Sequence, residues 1–318
     1  MKKECLLTVN VITYNHEEWI GKCLDSVLEQ KTDFDYIVRI FDDCSTDGTK
    51  EICREYEKKY PEKILFFPAE KNLGLINGVL VNALRAYEDI KTPYFLFIEG
   101  DDFRLNENGF QRQIDELEKH QECSFCASKT VSFYQDKIQN APFPHLKAGI
   151  YSAQDIIAFP SVIYYTSLTS RISRTKYLNI KSGEEYFALV DISQIYYLAQ
   201  QAPFCIVDDV YAAYRISGKG ESTKKNILDK CCSESEAVRK ISNYFDDKFF
   251  KNLAFFFLAD IRDIYSRLSS PPQSFETQRA AVFKNLFRNT AKFILPGGVI
   301  WAAHYIRDVL RLLRGTRK

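Results

Sequence analysis

Residues 36–49 read Tyr-Ile-Val-Arg-Ile-Phe-Asp-Asp-Cys-Ser-Thr-Asp-Gly-Thr. The first six, Tyr36 to Phe41, are a β-strand by composition, being almost entirely β-branched or aromatic. The strand ends in two carboxylates, Asp42 and Asp43. Thr46-Asp47-Gly48 then opens a helix that runs to about Lys59, with Ile52, Cys53 and Tyr56 on its inward face. Strand, acidic turn, helix is the repeating unit of a parallel sheet, whose neighbouring strands can be joined only by a crossover.

The same unit recurs on either side. Leu6 to Thr13 (LLTVNVIT) reads as a strand, and Glu17 to Gln30 as a helix with Trp19, Ile20, Cys23, Leu24, Val27 and Leu28 at helical spacing. Lys63 to Phe67 is a third strand, Leu75 to Asp89 a third helix, Tyr94 to Ile98 (YFLFI) a fourth strand and Phe110 to Glu122 a further helix. This alternation predicts an α/β fold, a mainly parallel sheet with helices on both faces. From Cys123 to about Ser222 the pattern is mixed and rich in aromatics. Ser270-Pro271-Pro272 is the clearest linker, with helical patterns on both sides and no internal repeat.

Composition narrows the function classes. The chain has 318 residues, 46% hydrophobic and 27% charged, a globular balance that excludes a disordered, collagen-like or coiled-coil protein. A net charge of +1 excludes a dedicated nucleic-acid binder. The charge is uneven, because residues 273–318 carry nine Lys/Arg against Glu276 and Asp308. No segment reaches the ~18–20 apolar residues of a membrane span. The nearest, Phe293 to Ile306, is broken by Pro296-Gly297-Gly298. Glu4, Thr8 and Asn10 interrupt any signal-peptide core after Lys2 and Lys3, and the nine cysteines are an odd number. The thiols are therefore read as reduced and the protein as cytoplasmic. Cys123, Cys126, Cys231 and Cys232 add up to four zinc ligands, but buried, inert thiols are the better reading.

The chemistry lies in the acidic residues. Ligands of parallel sheets sit at the carboxyl ends of the strands. Strand two ends in Asp42-Asp43 and strand four in Glu99-Gly100-Asp101-Asp102, so the two clusters are expected to converge. Crowded carboxylates raise one another's pKa unless a cation joins them, and Mg²⁺ or Mn²⁺ bridging to substrate phosphates is the usual solution. Asp47, at a helix start, reads as a cap.

Together, Val11-Ile12-Thr13-Tyr14-Asn15, Asp42-Asp43-Cys44-Ser45-Thr46-Asp47, Asn72-Leu73-Gly74 and Glu99-Gly100-Asp101-Asp102 resemble the inverting family 2 glycosyltransferases of GT-A fold. Order and spacing agree over about residues 5–105, and a weaker match continues through Asp191 and Tyr214-Arg215-Ile216-Ser217 to Ser222. The resemblance implies a GT-A domain over 1–222, in which 1–105 binds the nucleotide sugar and 106–222 faces the acceptor, followed by a helical region over 223–318. It implies that Thr13, Tyr14 and Asp43 hold nucleobase and ribose, with Asn15, Asp42, Asn72, Gly74 and Arg215 completing the donor site. Asp101 is then the main metal ligand, with Glu99 and Asp102 beside it. Phe103-Arg104 stands where a subset of the family has Tyr-Trp, a departure expected to alter the sugar pocket. Ser217 stands where many relatives have histidine. His16, near the expected nucleobase pocket, is read as structural.

An inverting transferase needs a carboxylate to take the acceptor hydroxyl's proton. The resemblance puts it at a helix start some two dozen residues before Tyr-Arg, which Asp191 fits, with Glu184 and Glu185 as rival candidates. Asp208 and Asp209 read as a strand edge. The implied activity is transfer of a sugar, from a UDP-sugar by preference, to a glycan or lipid-linked glycan in bacterial surface-polysaccharide synthesis. A nucleotidyltransferase would carry a Gly- and Lys/Arg-rich loop where Tyr14-Asn15-His16-Glu17-Glu18 stands, and a receiver-like binding module would be far shorter. In the tail, Ile306, Val309, Leu310 and Leu313 share one helical face, and Arg307, Arg311, Arg314 and Lys318 an adjacent one. This pattern suits an anionic membrane surface, with packing on the body or a homo-oligomer interface as the alternatives.

Overall fold

A computed structural model of the chain describes residues 3–76, 79–134, 137–139, 147–158, 167–178 and 192–216. Residues 1–156 and 161–218 cluster as one compact unit. Its first half alternates strands and helices: β1 (Cys5–Thr13), α1 (Ile20–Leu28), β2 (Asp35–Asp42), α2 (Thr49–Lys59) and β3 (Ile64–Pro68). A small ribbon of β4 (Leu75–Ile76) and β5 (Val79–Leu80) precedes α3 (Val81–Tyr87) and β6 (Tyr94–Glu99). There follow β7 (Phe103–Arg104), α4 (Gly109–Lys119), β8 (Phe125–Tyr134), β9 (Lys137–Gln139), β10 (Gly149–Tyr151), α5 (Ala153–Ala158), β11 (Arg171–Arg174), α6 (Ile192–Gln201) and β12 (Phe204–Arg215).

Among the described residues the main sheet has the order β10-β12-β8-β11-β6-β1-β2-β3, with β7 on β12 and β9 on β8. Four strands of the alternating half, β3, β2, β1 and β6, are parallel. β11 is inserted antiparallel to both β6 and β8, while β8 and β12 pair in parallel. Two antiparallel steps restore the direction, so β1, β2, β6, β8 and β12 all end at one edge. That edge gathers the chemistry.

Alternation along the strands sorts the faces. Leu7, Val9 and Val11 of β1, Val38 and Ile40 of β2, and Leu96 and Ile98 of β6 are fully buried, in one cluster with Ile20, Cys23, Leu24 and Val27 of α1 and Phe110, Ile114 and Leu117 of α4. On the other face, Asn82 Nδ2 of α3 donates to the Phe41 carbonyl (2.8 Å). The Tyr87 ring packs on Phe97 at 4.5 Å, and Gln194 Nε2 of α6 donates to the Tyr87 hydroxyl (2.6 Å).

Two elements differ from the sequence reading. The helix expected from Leu75 to Asp89 is confined to Val81–Tyr87, with the β4–β5 ribbon before it. Gly74, at φ +52°, turns the chain there, and the β-branched Ile76 and Val79 favour extended backbone. Helix α1 starts at Ile20 rather than near Glu17, because residues 14–17 are held in a loop described below. Cys123, Cys126 and Cys205 are buried free thiols, whereas Cys231 and Cys232 lie outside the described residues. Among the described residues no helix is long and apolar enough to cross a membrane.

Candidate active site

The loop after β1 and the loop after β2 are laced together. Asp43 N–H donates to the Thr13 carbonyl (2.9 Å), Asn15 N–H to Ser45 Oγ (2.9 Å) and Thr46 N–H to Asn15 Oδ1 (2.8 Å). Asn15 can do this because it takes a left-handed conformation (φ 54°), which its short amide tolerates. His16 N–H donates to Thr49 Oγ1 (2.9 Å), Glu17 N–H to Asp47 Oδ2 (3.1 Å) and Gly48 N–H to Glu17 Oε2 (3.0 Å). Asp47 Oδ1 also accepts from the Thr49 amide and hydroxyl at the start of α2, which makes it the helix-start carboxylate its position suggests. Burial acts to raise the Asp47 pKa, but the hydrogen bonds from Thr49 and Glu17 prevail and hold it below the ordinary carboxylate value.

The aspartates of the two acidic motifs have different fates. Asp42 is fully buried and accepts from Ser45 N–H (2.9 Å) and the Ser45 hydroxyl, so its carboxylate shapes the turn. Asp43 accepts from Leu73 N–H at Oδ1 (2.8 Å) and Gly74 N–H at Oδ2 (2.9 Å), and its carbonyl takes Asn72 Nδ2 (3.1 Å). Asp43, Asn72 and Gly74 therefore form one clasp beside Thr13. Thr13 is buried, and its hydroxyl has no hydrogen-bond partner among the described residues; Tyr14 is exposed.

Asp102 is buried: Oδ2 accepts from Thr169 Oγ1 (2.9 Å) and Oδ1 from Arg215 N–H (2.9 Å). Its neighbour Asp101 keeps carboxylate oxygens that accept no hydrogen bond among the described residues; His16 Nε2 lies 3.9 Å from Oδ2. Arg215 Nε donates to the Asp101 carbonyl (2.8 Å), and the guanidinium lies over Phe133 (4.9 Å to the ring centroid), Phe103 (5.4 Å) and Trp19 (5.9 Å). Lys22 Nζ sits 3.9 Å from the Phe103 centroid.

Of the expected metal ligands Glu99, Asp101 and Asp102, the last has each carboxylate oxygen accepting from a protein donor, and among the described residues no group of three or more His, Cys, Asp or Glu gathers as a metal cluster. Arg104 is buried, donating to the Thr169 carbonyl (2.7 Å) and Gln113 Oε1 (2.6 Å), and burial pushes its pKa down to about 9. Asp208 pairs with Lys129, and Asp209 accepts from the Tyr211 hydroxyl (2.6 Å) and faces Arg112. Asp191, Glu184, Glu185 and Ser217 lie outside the described residues, as does the tail; α6 starts at Ile192. The residue that sequence reasoning set aside is His16. Its signal was its place next to Asn15 in the loop after β1, at the edge where the acidic motifs end.

The family model described as glycosyl transferase family 2 matches residues 8–179. The chain is similar to the dTDP-rhamnosyl transferase RfbG of Shigella flexneri, with 39% identity over 154 residues, 47% of this chain and 42% of that protein. It is also similar to the teichoic acid poly(glycerol phosphate) polymerase of Staphylococcus epidermidis, with 38% identity over 134 residues, 42% of this chain and 15% of that protein. The chain thus spans less than half the length of these relatives. Among solved structures, residues 1–349 of S. aureus TarS in complex with UDP-GlcNAc superpose with a TM-score of 0.61 at 19% identity. That match covers 98% of this chain and 92% of the other, and it shows a shared GT-A fold.

Proposed function

The chain belongs to glycosyl transferase family 2, and from that membership we propose that it is an inverting transferase. It moves a sugar from a nucleoside-diphosphate donor, a UDP-sugar by preference, to a hydroxyl of a glycan or lipid-linked glycan in cell-surface polysaccharide synthesis. The names of the rhamnosyl transferase and the teichoic acid polymerase support the product class. The UDP-GlcNAc bound by TarS supports the donor class.

The observation that carries this reading is the sorting of the aspartates. Asp42, Asp43 and Asp102 spend their carboxylates on the protein, and among the described residues Asp101 alone of the four has a carboxylate that accepts no hydrogen bond. One open carboxylate suits a divalent cation, since such ions are commonly held by one or two carboxylates with substrate phosphates supplying further oxygens. Mn²⁺ or Mg²⁺ held there by Asp101 would offset charge developing on the departing diphosphate.

The protein's own groups do the rest. Thr13 and Tyr14 border the space for nucleobase and ribose, and Asp43 orders its wall through the Leu73 and Gly74 amides. Arg215, fixed against the Asp101 carbonyl, faces the diphosphate. Asp191 takes the acceptor proton as the hydroxyl oxygen attacks the anomeric carbon opposite the leaving group, which inverts that centre. The basic stripe of residues 273–318 holds the protein at an anionic membrane surface, on the cytoplasmic side where nucleotide sugars are supplied.

The test is a thermal-shift screen of UDP-, GDP- and dTDP-sugars with and without Mn²⁺, followed by product analysis. Stabilisation that needs both one nucleotide and the cation, lost in Asp101→Ala, supports the reading. Equal donor turnover by Asp101→Ala sinks it. Asp191→Asn is expected to keep donor binding and lose transfer.

A further inference from the structure

His16 is held more firmly than an incidental loop histidine. Its N–H donates to Thr49 Oγ1 (2.9 Å), and its carbonyl accepts from the amides of Trp19 (2.9 Å) and Ile20 (2.8 Å), which starts α1. The imidazole packs against the Trp19 ring (5.8 Å between centroids). On its other side lies Gly100, where a Cβ would stand 2.9 Å from His16 Nδ1 and 2.8 Å from Thr13 Oγ1. The glycine of Glu99-Gly100-Asp101-Asp102 therefore leaves room for the ring. What faces Asp101 Oδ2, at 3.9 Å, is Nε2, and the two side chains are 17% and 14% exposed.

That separation is too long for a hydrogen bond. It falls between the two spans that ligands of one ion take. Groups each about 2.1 Å from a first-row cation stand roughly 3.0 Å apart at a right angle and roughly 4.2 Å apart in line. We infer that His16 Nε2 and Asp101 together bind the divalent cation, His16 supplying a nitrogen ligand that selects Mn²⁺ over Mg²⁺. Mg²⁺ takes oxygen ligands, whereas imidazole suits transition metals. With no third His, Cys, Asp or Glu in the cluster among the described residues, diphosphate oxygens and water fill the remaining positions. The inference rests on the proposed donor site over Asp101.

The experiment uses the full chain with Mn²⁺ and UDP, and with GDP and dTDP in parallel. Electron spin-echo envelope modulation of the bound Mn²⁺ reads ¹⁴N coupling, and calorimetry reads Mn²⁺ and Mg²⁺ affinity. Wild type is expected to show imidazole coupling that His16→Gln and His16→Asn both lack. Mn²⁺ affinity in these variants falls by about 10- to 100-fold, while Mg²⁺ affinity holds. Asp101-dependent Mn²⁺ binding without ¹⁴N coupling overturns the role of His16 and leaves the donor site standing. Absence of any Asp101-dependent Mn²⁺ binding with all three nucleotides overturns both. If one variant fails to fold, the other carries the assignment of the coupling.

Discussion

Arg215 Nε donates to the main-chain carbonyl of Asp101 at 2.8 Å, across 114 positions of sequence. The Arg215 amide meanwhile binds Asp102 Oδ1 at 2.9 Å. One residue at the end of β12 thus grips both aspartates of the loop after β6, by its backbone and its side chain. The aromatic rings of Phe133 and Phe103 hold the guanidinium plane. The second half of the unit thereby sets the geometry of a motif that belongs to the first.

Arg215→Lys keeps the charge and loses the planar donor. Removing a charge-assisted hydrogen bond costs about 1.5–3 kcal/mol, so the donor KM is expected to rise roughly 10- to 100-fold. Steady-state kinetics with the donor varied checks this; an unchanged KM would place the arginine off the diphosphate.

Asp101 and Asp102 should separate cleanly on substitution. Asp102→Ala leaves the Thr169 hydroxyl and the Arg215 amide without their buried acceptor, a loss of about 1–3 kcal/mol. Asp101→Ala breaks no such bond, and its stability should stay within about 0.5 kcal/mol of wild type. Urea unfolding of both variants measures the difference.

Gly100→Ala introduces a methyl 2.8–3.0 Å from Thr13 Oγ1, His16 Nδ1 and the Ile20 side chain. Overpacking of this kind costs about 1–3 kcal/mol. Because the displaced groups line the edge, nucleotide binding is expected to weaken alongside the melting temperature, which calorimetry and thermal unfolding read separately.

Asp47 gives a pH signature. Its folded pKa lies below the unfolded value of about 3.9, so its contribution is present above that value and lost as pH falls through the folded pKa. Asp47→Ala should be less stable than wild type by about 0.5–1 kcal/mol at pH 7, the low end for a helix-start carboxylate in contact with solvent. The gap should narrow as pH falls below about 3.9 and close once pH is below the folded pKa. Denaturant curves from pH 7 down to the acid limit of folding follow it; a gap that stays constant over that whole range would mean the carboxylate charge is not what stabilises the turn.

Much of the fold was legible because its determinants are local. Tyr36 to Phe41 and Tyr94 to Ile98 are strands by composition, and β2 and β6 extend each by only a residue or so. The β4–β5 ribbon was missed because the apolar spacing of residues 75–89 satisfies a helix equally well. What turns the chain there is Gly74, clasped by Asp43 from another loop. The antiparallel β11 between β6 and β8 was not legible either, since its partners are chosen by pairing across long stretches of chain.

The sequence by itself determined that two acidic motifs would close two parallel strands at one edge, because strand patterning and the direction of a parallel sheet leave no other place for them. Only the tertiary structure decided which carboxylate stays open. Asp101 and Asp102 are neighbours of identical chemistry, yet Thr169 and Arg215 arrive from distant segments to occupy the second and leave the first. It likewise set His16 beside Asp101, through a hydrogen bond to Thr49 at the start of α2 and the space that Gly100 leaves. Side-chain type is written in the chain, but the partners that consume or spare a polar group come from wherever folding brings them.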